Sequence, residues 1–172
     1  MSNIAARDLD RLRAGERPSS PDTTSAAWRA DITQALLADL RPGDHAPVVW
    51  LLEQEIAATG APGSAPSETL YRLIAALARF ARPEDALLIW RAAQSTVETR
   101  AGVDIEQALR AGPEAVLRAL QRHIAEGGSQ AKDAAAALAW VQAGIASGAA
   151  NDLPAYFAWS DERFGLHISG PT

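Results

Sequence analysis

Three histidines, two closely spaced glutamates and a short run of arginines are the side chains of this 172-residue chain best placed to do chemistry. His45, His123 and His167 stand far apart, and none has a second histidine three or four residues on. No helix face therefore offers two imidazoles to a metal. His123 and Glu126 are three apart, on one helix face, and are the weak candidates for metal ligation; a bundle site would also need carboxylates from facing helices. Glu53 and Glu55 on one helix are two apart and point to different faces, which unfits them as joint metal ligands. His45 sits at a helix start, where the dipole disfavours an imidazolium. No cofactor and no metal site are expected.

The motifs of phosphate and acyl chemistry do not occur: there is no Gly-rich phosphate loop, no Gly-x-Ser-x-Gly elbow and no His-Glu-x-x-His. The chain has no cysteine, so thiol catalysis, thiolate zinc and disulfide frameworks drop out together. An enzyme is disfavoured on these grounds. What remains is binding. Arg79, Arg82 and Arg91 flank one helix junction, with Glu84 and Asp85 between them, and could meet an anion or an acidic partner; solvated, locally paired charge is the simpler account. Tyr156 and Trp159, with Phe164, could form an exposed recognition patch, and an apolar end-cap is the simpler account there. Arg79, Arg82, Arg91, Tyr156 and Trp159 are thus the candidate binding residues.

The elements that must carry these side chains are written in a repeat. Arg41-Pro-Gly-Asp-His-Ala-Pro-Val-Val-Trp50 returns as Arg82-Pro-Glu-Asp-Ala-Leu-Leu-Ile-Trp90. The stretch Ala35–Pro42 aligns with Ala76–Pro83 at an offset of 41. In each copy proline ends one helix and suits the first turn of the next, and the aspartate lies at that helix's positive end. Ala139-Trp140 echoes the aliphatic–Trp pair a third time.

Periodicity predicts the rest. Ala5, Leu9 and Leu12 mark a short first helix over 3–13. The breaker-rich stretch 15–24 follows, a linker or an arm. Trp28, Ile32, Leu36 and Leu40 line a second helix, with Asp22–Ser25 offering caps. Six consecutive apolar residues, Pro47–Leu52, imply that the third helix is buried on more than one side. Leu70, Leu73, Ile74, Leu77 and Phe80 mark a fourth. A fifth opens at Pro83 and runs to about 100, with Leu87, Trp90, Ala93 and Val97 inward. Asp104 can cap a short helix over 105–110. Val116, Leu117, Leu120 and Ile124 mark the next helix. Ser129 can cap another over 130–147, where Ala134, Ala135, Leu138, Val141 and Ile145 form the apolar face. A last, aromatic helix begins at 151–154. Trp50 and Trp90 are expected in the core, and the arginines Arg41 and Arg82 are free to cap the carbonyls of the preceding helix.

The fold expected is all-α: helical hairpin repeats, about three αα units of roughly 40 residues, forming a short α-superhelix or compact bundle with an aromatic C-terminal capping helix. Residues 1–22 read as an N-terminal arm (a short helix plus a Pro/Ser-rich linker), 23–166 as a single repeat domain and 167–172 as a tail. The net charge of −5 argues against a nucleic-acid partner, which calls for a basic stripe. No h-region and no long apolar run are present, so neither membrane insertion nor secretion is expected, and a cytoplasmic location is the default. Fifteen of the 16 Lys and Arg residues are Arg and 38 residues are Ala, a bias expected of a GC-rich bacterial genome. The leading function is a protein–protein interaction module, of adaptor, inhibitor or toxin-neutralising type, presenting one face of the stack to another protein. The alternatives are a small-molecule binder or enzyme with an inter-helix pocket, using Glu53, Glu55, Arg91, His123 and Glu126, and an assembly subunit that self-associates as a homo-oligomer.

Overall fold

A computed structural model describes residues 3–17 and 25–166. Among them the chain is helical throughout, with nine α-helices, three short 3-10 turns and no strand. The helices are α1 (Asn3–Arg13), α2 (Ala26–Ala38), α3 (His45–Thr59), α4 (Glu68–Arg79), α5 (Ala86–Ala93), α6 (Val97–Gly102), α7 (Pro113–Glu126), α8 (Ala131–Ala146) and α9 (Leu153–Phe164). Most of the Pro/Ser-rich linker, the tail from 167 and His167 lie outside the described residues. None of the helices among them is long and apolar enough to cross a membrane.

The chain divides into two compact units. The first takes the described residues up to Leu77 and those from Asp161 to Leu166; the second is Ala78–Ser160.

In the first unit α1 packs on α2 and α3, which also pack on each other. The thin stripe of α1 suffices, because Ala5, Leu9 and Leu12 are all buried. Polar contacts fix the same helix: Trp28 Nε1 donates to Asp8 at 3.0 Å, and Arg13 grips Asp44 with Nε and Nη2, both at 2.8 Å. Ser25 Oγ accepts from Trp28 N at 3.1 Å and caps α2, as expected. Ile32, Leu36, Leu40, Val48, Leu51 and Leu52 are fully enclosed. Within that core Arg29 Nε donates to Glu55 at 2.5 Å, and Ser67 Oγ donates to the other carboxylate oxygen at 2.7 Å. Arg29 and Glu55 are 6% and 2% exposed, an ion pair held out of water.

In the second unit α7 and α8 lie side by side, and α5 packs on both and on the 3-10 turn Ile105–Leu109. Ile89, Ala92, Leu109, Val116, Leu120, Ala137 and Val141 form the core. Arg122 reaches Glu84 across α7 and the turn Pro83–Asp85 at 2.7 Å.

The two Arg-Pro-x-Asp copies fold alike. Each makes a 3-10 turn, Pro42–Asp44 and Pro83–Asp85, with the Asp amide donating to the Arg carbonyl at 3.0 and 3.1 Å. Both aspartates are buried. Asp44 accepts the Arg41 amide at 2.9 Å, which closes the 3-10 turn, and its side chain makes no cap to α3.

Several finer expectations are corrected. Trp50 and Trp90 are half-buried, whereas Leu51, Leu52 and Ile89 beside them carry the core. Trp50 meets Trp28 edge-on at 6.2 Å, and it is Trp28 that is buried. Arg41 turns back on Asp39, and the cation that caps α2 is Arg13 of α1, whose Nη2 donates to the Asp39 carbonyl at 2.7 Å. The fifth helix stops at Ala93 because Thr96 and Thr99 exchange backbone and side-chain hydrogen bonds and restart the chain as α6. The cap position of α8 is Gln130, one residue beyond Ser129, and no side chain caps it. Ala135 faces solvent, and Leu138 and Ile145 are half-buried.

Candidate functional site

The second unit carries a shallow depression of about 490 Å³ between the chain leaving α6 and the last turns of α8. Val103, Asp104, Ile105 and Glu106 form one wall, and Trp140, Ala143, Gly144 and Ser147 the other; the surface is mostly apolar. Each wall has a local cause. Val103 and Asp104 are extended, because Val103 closes α6 by donating its amide to Thr99 O at 2.9 Å. The following 3-10 turn sends Gln107, Ala108 and Leu109 inward and leaves Ile105 and Glu106 half-exposed. On α8, Gly144 is the residue that admits Ile105: a Cβ built there would lie 2.2 Å from Ile105 Cδ1. The α8 end is tied by Ser147 Oγ, which donates to Gly144 O at 2.8 Å.

Asp104 occupies the cap position of the turn, as expected, but its side chain caps nothing. It accepts instead from the Tyr156 hydroxyl of α9 at 2.9 Å. Gln107 Nε2 donates to that same hydroxyl at 3.0 Å and to Ser160 Oγ at 2.7 Å. Gln107 and Ser160 are buried, so a chain of polar groups runs from the interior of the unit to a carboxylate at the groove. Burial pushes the Tyr156 hydroxyl far above the ordinary tyrosine range, and the charge and hydrogen bond of Asp104 act in the same direction. The phenol stays protonated and keeps donating. Gln107 Oε1 is buried without a hydrogen-bond partner.

No family model, curated protein or solved structure matches this chain. The groove must be read from its own chemistry.

Two of the five candidate binding residues meet near it. Tyr156 holds Asp104, and its ring lies 5.6 Å from that of Trp159, which is 47% exposed. Phe157 takes Arg110 over its ring at 4.6 Å. Arg91 is elsewhere, with Nε donating to Asp133 of α8 at 3.1 Å. Arg79 is half-buried in the last turn of α4, and Arg82 is exposed at the head of the second repeat turn. His123 Nδ1 and Glu126 Oε2 are 3.8 Å apart, and among the described residues no three His, Asp or Glu side chains gather as a metal site. Glu55, a candidate for inter-helix chemistry, is taken up by Arg29 and Ser67, and Glu53 is exposed.

Asp104, Ile105, Glu106 and Trp140, which line the groove, were not singled out as binding residues from the sequence. Two acids flanking an isoleucine after a helix break, and a glycine inside an alanine-rich helix, were the signals available.

Proposed function

We propose that the chain is a protein–protein interaction module whose docking surface is the groove of the second unit. One observation carries this reading: an open, mostly apolar depression that is lined by Trp140 and rimmed by the carboxylates of Asp104 and Glu106. An apolar floor with a few placed polar groups is what a docked segment of another protein needs. Trp140 makes no contact with another ring and carries no cation among the described residues, so its half-exposed face is available for contact. In the finer form of the proposal the three hairpins are stacked repeats, α9 is their aromatic end-cap, and the module is an adaptor, inhibitor or toxin-neutralising protein.

The test is a photoreactive residue at Ala143, in the groove, or at Ala135, on the exposed part of α8. The groove position should give a discrete cross-linked protein in the native host, and Trp140→Ala should remove it. Equal products at both positions, or a product indifferent to Trp140→Ala, would overturn the reading.

The small-molecule alternative rests on a different observation. A depression of about 150 Å³ in the first unit is lined by Ala30, Thr33, Gln34, Glu68, Thr69 and Arg72, and buried Thr33 Oγ1 has no hydrogen-bond partner. A small polar ligand there should raise the melting temperature, and Arg72→Ala should cancel the rise. The remaining alternative, self-association, is decided by the mass in solution: a strict monomer excludes it.

A further inference from the structure

We infer that the segment docking in this groove is basic, and that it places an arginine side chain between the Asp104 carboxylate, Glu106 and the face of Trp140; this rests on the docking reading above. The argument is charge complementarity on a prepared surface. Asp104 and Glu106 both line the groove, and among the described residues neither has a cation within ion-pair distance. That sets them apart from Glu84, Asp133 and Glu114 of the same unit, which are paired with Arg122, Arg91 and Arg118. The exposed carboxylate is also not a loose one. Tyr156 donates to Oδ2 of Asp104, and Tyr156 is itself held through Gln107 by buried Ser160. One hydrogen bond leaves most of the acceptor capacity of the carboxylate unused, including Oδ1.

A carboxylate held by a hydrogen bond, in a groove that an indole also lines, suits a guanidinium better than an ammonium. Arginine donates in a planar fork to a carboxylate and stacks on aromatic faces, while lysine offers a strongly hydrated point charge. The apolar floor from Ile105 and Trp140 calls for aliphatic residues on either side of the arginine. The whole chain carries a net charge of −5, which draws a basic segment toward it before any contact forms.

The probe is a short labelled, amidated helix-forming peptide with leucines at i, i+3 and i+7 and arginine at i+4, titrated against the full chain by fluorescence anisotropy. A second peptide has glutamine in place of the arginine. The double variant Asp104→Asn, Glu106→Gln should weaken the arginine peptide at least about tenfold and leave the glutamine peptide unchanged. Tyr156→Phe should weaken the arginine peptide by about two- to fivefold, because Asp104 keeps its charge and loses its orientation. Glu53→Gln with Glu114→Gln removes the same charge from exposed positions elsewhere, and should leave both peptides unchanged. Circular dichroism of each variant keeps a folding defect from passing as a binding defect. If the remote pair weakens the arginine peptide as much as the groove pair, the attraction is only that of net charge and the inference falls. It also falls if the groove pair has no effect. In that case Trp140→Ala separates the two claims: loss of both peptides leaves the docking groove standing without its cation, and loss of neither overturns both.

Discussion

The side chains that matter most in this protein are polar ones out of water. Arg29 and Glu55 form a buried ion pair, and Ser67 holds the second oxygen of the Glu55 carboxylate. Glu55→Gln takes a carboxylate away from a buried guanidinium and should destabilise the chain by about 3–5 kcal/mol, read as a fall in the urea midpoint. Tyr156 gives a second test, through pH. Its folded-state pKa lies above the unfolded value of about 10, so the unfolded chain loses the proton first. Its stabilising contribution is therefore complete below that value and declines as the pH rises past it. In a Tyr71→Phe background, denaturation midpoints should fall on going above about pH 10, and Tyr156→Phe should flatten that fall. Little of this was legible beforehand. Glu55 carries no mark that separates it from Glu53 until the helix is placed against its neighbours, and Asp104 reads as a helix cap because its true partner lies 52 residues on.

Helices and turns were far more legible than their side-chain duties. The Arg-Pro-x-Asp signature predicted two helix starts, and both are built in the same way, because proline and aspartate act locally. The tryptophans misled: burial depends on what covers a face, and here Leu51, Leu52 and Ile89 are covered more completely. The restart at Thr96 was missed because a threonine pair reads as weak helix until its hydroxyls find backbone partners. At this scale the sharpest prediction concerns Gly144. Alanine there gains about 1 kcal/mol of helix propensity but must displace Ile105, a cost of about 1–3 kcal/mol. Gly144→Ala should therefore be neutral to destabilising by up to about 2 kcal/mol in denaturant titration, and should distort the groove wall at Ile105. Arg91→Ala, by contrast, removes a partly exposed pair with Asp133 and should change stability by no more than about 1 kcal/mol.

For the molecule as a whole, charge is the property that acts at a distance. A chain of net charge −5 meeting a basic segment should associate more slowly as salt is added. Between about 0.01 and 0.15 M ionic strength the screening length falls from roughly 30 to 8 Å. The association rate measured by stopped flow should fall about tenfold over that range, with dissociation changing much less. Composition made the charge legible and periodicity the all-helical class; the division into two units depends on contacts that neither encodes. The pair of Arg29 and Glu55 bears on how the chain can change as well as on its folding. Replacing one member alone costs stability, whereas exchanging both for apolar residues of similar volume costs much less, so the two positions behave as one unit under substitution.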